Sequence, residues 1–271
     1  MKKIAVLVKQ VPATENVKID PETGVMMRDG LDVEVNPLDL HAIEEAVRFK
    51  ERPPGACVTA VTMGPPTAVK AVRYAIAMGC DDGVLVTDKA FAGSDTLVTS
   101  KVLAEVLRKL GPFDLILAGE RATDGETGQV APSVGSLLRV PVLTYVSKLA
   151  VQNGRLTAER AVEGGHETIL SPLPALAVVI KEINVPRLCT LSGKIRGKKA
   201  EIRTLSCADL GLTNESVGLA GSPSKVVKIS YPRFTRKGRK ISASEDFNKT
   251  VKELSMFLSE MKTKEALDGE K

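Results

Sequence analysis

The chain has no tryptophan, aromatic residues make up 3% of it, and its only histidines are His41 and His166. Proteins that hold single-stranded nucleic acid need aromatic faces for the bases to stack on, and this sequence is poorly supplied with them. That argues against nucleic acid as a partner, even though Lys194, Arg196, Lys198, Lys199 and Arg203 cluster, as do Arg233, Arg236, Lys237, Arg239 and Lys240. An acidic protein partner or a solvated face suits these basic stretches better. The four cysteines, Cys57, Cys80, Cys189 and Cys207, lack C-x-x-C spacing and have too few histidines to complete a ligand set. Free thiols are expected, with no zinc or iron-sulfur centre. No run approaches the ~20 apolar residues of a bilayer span, so direct membrane insertion is not expected. Neither Gly-x-Gly-x-x-Gly nor Gly-x-x-x-x-Gly-Lys-[Ser/Thr] occurs, which weighs against an ordinary dehydrogenase or P-loop hydrolase.

What is present has the balance of an ordinary soluble protein: 271 residues, 43% hydrophobic and 26% charged, with a formal net charge of +5. That length can bury a large core, and one α/β domain with an appendage is the natural reading. Met1-Lys2-Lys3 followed by Ile4 to Val8 begins like a secretory signal, but the apolar run stops at Lys9 and no small-residue cleavage site follows. The segment therefore reads as a first strand and the expected location is the cytoplasm.

Apolar runs rich in β-branched residues recur at Ile4 to Val8, Val58 to Met63, Val84 to Thr87 and Leu115 to Ala118. Between them lie helical spacings: Leu40, Ile43 and Val47; Val69, Val72 and Ile76; Leu97, Val102, Val106 and Leu110. This alternation predicts an α/β fold, a doubly wound and mostly parallel sheet with helices on both faces, because parallel strands need crossovers and continuous apolar strands need both faces covered. Asn36-Pro37 and Gly93-Ser94-Asp95 supply helix starts. Residues 17–28, centred on Asp20-Pro21-Glu22-Thr23-Gly24, read as a β-hairpin insertion.

After about residue 142 the texture turns to strands, with Asn153-Gly154 as a two-residue hairpin signal between Val142 to Val151 and Arg155 to Val162. Further strands are expected at Glu167 to Leu170 and Ala175 to Ile180. From Pro186 the chain is basic and reads as an extended arm without periodicity until Ser242. There a capping box, Ser242-x-x-Glu245, opens a terminal helix with Phe247, Val251, Leu254, Leu258 and Met261 on one stripe. The expected division is an α/β nucleotide-binding domain at 1–210, and a C-terminal arm and helix at 211–271.

The most informative loop runs from Ala118 to Pro132, through Asp124-Gly125-Glu126-Thr127-Gly128-Gln129-Val130. It leaves the carboxyl end of the fourth parallel strand and opens a helix. Open α/β sheets bind ligands at that end of their strands, where strand order reverses. Glycines allow close backbone approach, and free N–H groups at a helix start favour phosphate. Val8 to Pro12, Met63-Gly64-Pro65 and Phe91 to Thr96 leave other strand ends toward the same crevice. These features suit an adenine nucleotide. No catalytic residue is expected, since His41 falls on the first helix and His166 in a strand turn.

Several segments resemble the β subunit of electron-transfer flavoproteins: Val6 to Pro12, Val35-Asn36-Pro37-Leu38-Asp39 with Glu44 to Arg48, and Ala75 to Gly79. So do Gly164-Gly165-x-Glu167 with Leu173-Pro174-Ala175, and Pro186-Arg187-Leu188 followed by Lys194 to Lys199. The resemblance implies a heterodimer with an α subunit and a nucleotide in the β crevice, AMP in simple carriers or a second FAD in electron-bifurcating members that oxidise NADH. The short loop Asp124 to Pro132 and the segment Phe91-Ala92-Gly93-Ser94-Asp95-Thr96 are similar to the bifurcating pattern.

By the same resemblance, Leu7, Lys9, Asn36 and Met63 line the adenine and ribose end. Asp124, Gly125, Thr127, Gly128, Gln129 and Val130 belong to the phosphate-holding loop, and Ser94, Asp95 and Thr96 to the segment that meets the extra flavin portion. Leu191 matches an apolar anchor that inserts into a partner dehydrogenase, such as an acyl-CoA or 2-hydroxy-acid dehydrogenase, with Lys194, Lys198 and Lys199 around it. Ser192 departs from the proline of simple carriers. A competing class is a small α/β nucleotide-sensing protein with no redox role.

Overall fold

Along the first strand, Ile4, Val6 and Val8 bury on one face while Ala5 and Leu7 bury on the other. That two-residue alternation means that both faces of the sheet are covered. In the computed structural model, which describes residues 1–13, 32–53, 55–227 and 246–268, this strand stands at the centre of the sheet.

Two short strands and a helix follow β1 (Lys3–Leu7): β2 (Gln10–Pro12), β3 (Val33–Val35) and α1 (Pro37–Glu51). Then come β4 (Cys57–Met63), α2 (Val69–Met78), β5 (Asp82–Val86), α3 (Thr96–Leu110), β6 (Leu115–Gly119) and α4 (Val130–Leu138). A run of strands succeeds them: β7 (Val142–Gln152), β8 (Arg155–Val162), β9 (Gly165–Pro172) and β10 (Ala175–Val179). The order across the nine-stranded sheet is β11-β5-β4-β1-β6-β10-β7-β8-β9, where β11 is Arg203–Leu205. From β11 to β7 all neighbours are parallel, and β8 and β9 extend the sheet antiparallel.

Side chains of α1 and α2, including Ile43, Val47, Val72 and Ile76, pack with Ile4, Val6, Leu115 and Leu117 on one face. Val98, Val102 and Val106 of α3 and Val134 of α4 pack with Ala5, Val84, Ile116 and Leu176 on the other. Each fully buried Ile, Leu or Val contributes about 1.5–3 kcal/mol, and the doubly wound arrangement follows. The Asn153-Gly154 hairpin forms as its residues predict, with φ of 51° and 73° at the two turn positions. β2 and β3 pair antiparallel and flank the expected 17–28 insertion, which itself lies outside the described residues.

One expectation is corrected. Between Arg187 and Val217 the chain is not a loop-like arm: α5 (Leu191–Lys199) packs on α2, β11 adds to the sheet edge beside β5, and Leu205, Cys207 and Val217 join the core. α6 (Gly218–Gly221) follows. The helix escaped a hydrophobic pattern because the residues it turns to α2 are Gly193 and Gly197, which have no side chain to register.

Residues 1–229 form one compact unit and 230–271 another. In the second, α7 (Phe247–Asp268) starts where the Asp246 carboxylate accepts the Lys249 N–H at 3.0 Å. The expected Ser242–Glu245 capping box and the basic stretch 233–240 lie outside the described residues. Phe247, Val251, Leu254 and Leu258 keep helical spacing and are about half exposed or more. Among the described residues no helix is long and apolar enough to cross a membrane.

Candidate functional site

From β1 the chain steps outward to β4 and β5, then returns to the other side of β1 as β6 and β10. The order reverses between β1 and β6, so the loops leaving these two strands part and leave a crevice at their carboxyl ends. Lys9 stands on one lip and the 120–129 loop on the other.

The two lips are tied together. The Lys9 ammonium lies 2.6 Å from Asp124 Oδ1, and the Asp124 side chain is only 7% exposed. Asn36 is fully buried; its Nδ2 donates to the Arg121 carbonyl at 2.9 Å, and its Oδ1 accepts the Thr123 N–H at 3.2 Å. Asn36 occupies the N-cap position of α1, as Asn-Pro predicts, but makes no side-chain cap there. Its amide spans the crevice instead.

Beneath lies Asp39, which the sequence reading quoted but did not assign to the site. It is buried, and Oδ2 accepts the Lys9 N–H at 2.8 Å. Burial pushes its carboxyl up to about 7, against hydrogen bonds from Asn36 and from the Lys9 and Gly119 backbones that favour the ionised form. A side chain at Gly119 would run into Asp39, so the glycine ending β6 is needed for α1 to lie this close. The available signal was an acidic residue in the first turn after an Asn-Pro start, a pattern that usually reports only helix polarity.

The loop from Asp124 to Gln129 is open to solvent apart from the Asp124 side chain. Thr127 and Gln129 are exposed, Gly128 has φ of 62°, and a Cβ at Gly125 would meet nothing within 4 Å. No side chain caps the start of α4, which leaves the Val130 and Ala131 amides without a cap as potential anion donors. Leu7 is buried in the core at the end of β1, and Met63 is half-buried at the end of β4. Gln10 Nε2 donates to the Thr67 carbonyl at 3.0 Å, which brings the β1 and β4 loops together.

The Phe91 to Thr96 segment reaches the same rim by another tie: the Ser100 hydroxyl lies 2.6 Å from the Thr96 carbonyl and 3.2 Å from that of Val130, joining the starts of α3 and α4. Ser94 Oγ donates to the Phe91 carbonyl and accepts the Gly218 N–H. Asp95 caps α3 through Oδ1 to the Val98 N–H, while Oδ2 accepts from Ser224. Hydrogen bonds from Val98 and then Ser224 hold its carboxyl below the usual range.

Next to the crevice, on the β10 and β7 side, an open cleft of about 460 Å³ is lined by Arg121, Tyr145, His166 and Lys181 among others. His166 lies in β9 rather than in a turn. His41 faces Asn184, with Nδ1 3.0 Å from its carbonyl oxygen. Among the described residues no group of three or more His, Cys, Asp or Glu could hold a metal.

The expected partner residues form a separate surface. Leu191 opens α5 and is 77% exposed, Leu188 is 89% exposed, and Lys194, Lys198 and Lys199 of the same helix are exposed. An exposed apolar anchor at the start of a basic helix is complementary to an apolar pocket with acidic groups nearby.

Residues 23–210 match the family model described as the electron transfer flavoprotein domain. The chain is 42% identical over 258 residues to the electron transfer flavoprotein subunit beta of Thermoanaerobacterium thermosaccharolyticum, covering 95% of this chain and 96% of that one. It is 38% identical to the caffeyl-CoA reductase-Etf complex subunit CarD of Acetobacterium woodii, covering 97% and 98%. It is also 38% identical to protein FixA of Azotobacter vinelandii, covering 89% and 88%.

Proposed function

The chain belongs to the electron transfer flavoprotein family, and from that premise we propose that it is the β subunit of a heterodimer in which its crevice holds FAD and takes part in electron bifurcation. The observation that carries the reading is the switch-point crevice, whose β1 and β6 lips are joined by Lys9 and Asp124 beside an uncapped helix start. The Gly125 and Glu126 amides are engaged by the Ala122 carbonyl, and nucleotide phosphates fit the amides of residues 127–131, because Gly125 and Gly128 leave the backbone open to close approach. Lys9, Asn36 and Met63 flank the adenine and ribose end. The bound flavin would supply the redox chemistry, accepting a hydride from NADH and releasing electrons to two acceptors. The protein's part is to bind, orient and tune it.

Ser94 and Thr96 stand at the rim where the flavin portion would extend. Asp95 works from behind, since both its oxygens already hold the 91–96 loop in shape. Leu191, Lys194, Lys198 and Lys199 dock a dehydrogenase. The relative named for a caffeyl-CoA reductase complex favours a partner of the acyl-CoA class over one acting on 2-hydroxy acids. α7 and the basic segment before it serve the α subunit.

The test is to co-purify the chain with its α subunit, denature the complex and quantify released FAD and AMP. Two FAD per heterodimer without AMP, with flavin bleaching on NADH addition, is the expected result. One FAD and one AMP would leave a simple single-flavin carrier, and a stable homodimer with no flavin would leave a nucleotide sensor.

A further inference from the structure

An exposed apolar anchor binds well only if it is held in place before the partner arrives, since ordering it on contact costs affinity. The docking segment, Leu188 to Lys199, is held at its far end by backbone contact: side chains at Gly193 or Gly197 would strike the carbonyl oxygens of Ala77 and Arg73 in α2. Arg196 reinforces this by donating to the Ile76 carbonyl.

Its near end is held by one side chain. The Arg187 guanidinium spans two carboxylates two turns apart on one face of α1: Nε donates to Glu44 Oε2 at 2.8 Å and Nη2 to Glu51 Oε2 at 2.9 Å. The Arg187 backbone N–H also donates to Glu44, at 3.1 Å, so main chain and side chain are fixed together. Glu44 is buried, and although burial pushes its carboxyl up, hydrogen bonds from Arg187 and Arg48 outweigh this and hold it below its ordinary range. A planar fork that meets two carboxylates cannot be replaced by an ammonium without losing direction.

We propose that Arg187 is the positioning residue of the docking surface: by gripping Glu44 and Glu51 it sets where Leu188 and Leu191 stand and so sets affinity for the dehydrogenase. The inference rests on the docking role given above to Leu191. Among the described residues Arg187 bonds only to Glu44 and Glu51 and to none of the crevice residues, and its effect runs through the chain it anchors.

The experiment measures electron transfer from an acyl-CoA dehydrogenase, reduced by its acyl-CoA, to the purified heterodimer at varied heterodimer concentration. Arg187→Lys should raise the KM for the heterodimer about tenfold, and Glu51→Gln about threefold, with kcat and nucleotide content kept. Leu191→Ala, as control, should raise KM as well. Unchanged KM in the Arg187 and Glu51 variants beside a raised one in Leu191→Ala overturns the positioning role. Unchanged KM in all three overturns the docking reading itself. Glu51 is 55% exposed, so its variant leaves no buried charge and decides the matter if Arg187→Lys does not assemble.

Discussion

The ammonium of Lys9 and the carboxylate of Asp124, 115 positions apart in the chain, meet at 2.6 Å across the point where the strand order reverses. Lys9 is 45% exposed but Asp124 only 7%, so the intact pair adds little net stability while the carboxylate depends on its cation. The pair's consequence is geometric: it draws the 120–129 loop to the end of β1. Lys9→Ala should therefore lower the denaturation midpoint modestly, because the Asp124 carboxylate loses its cation, while weakening FAD or AMP binding about tenfold. Equilibrium dialysis of the heterodimer against each nucleotide checks this.

Asp39 predicts a pH signature. A carboxyl whose value rises on folding, here from 3.8 to about 7, stabilises the fold while protonated. That contribution is whole below about pH 4 and lost as pH climbs through 7, a change of up to about 4 kcal/mol. Asp39→Asn cannot ionise. Denaturant unfolding between pH 4 and 8 should show wild type losing stability relative to the variant as pH rises, and parallel curves would show that Asp39 titrates normally.

Gly125 offers a site probe that spares the fold. A Cβ there meets nothing within 4 Å, so Gly125→Ala should change stability by less than about 0.5 kcal/mol. If nucleotide phosphates lie against this backbone, the methyl group stands in their way and affinity falls. Calorimetric titration with AMP and FAD, beside a thermal melt, separates the two effects.

Gly197→Ala should behave in the opposite manner. The new Cβ collides with the Arg73 carbonyl, and α5 must lift from α2 at a cost of about 1–3 kcal/mol. Lower thermal stability should come with weaker dehydrogenase binding and intact nucleotide content. A variant as stable as wild type would mean that α5 and α2 do not pack this closely.

Strand and helix order, the double coverage of the sheet and the Asn153-Gly154 turn were legible in the sequence because each is a local matter. Burial on two faces writes a period of two into Ile4 to Val8, and a two-residue turn with positive φ selects Asn-Gly. The loop from Asp124 to Val130 was legible for the same reason, as glycines between a strand and a helix. Only the tertiary structure decided that Asn36 spends its amide across the crevice rather than on its own helix, that Asp39 lies buried under Lys9 and Gly119, and that Arg187 joins Glu44 to Glu51. It also decided that α5 is a helix seated on α2, since glycines packed backbone to backbone leave no hydrophobic pattern. The physical reason is common to all four: a carboxylate's environment and the closeness of two backbones depend on residues far away in the chain, which periodicity along one element does not report.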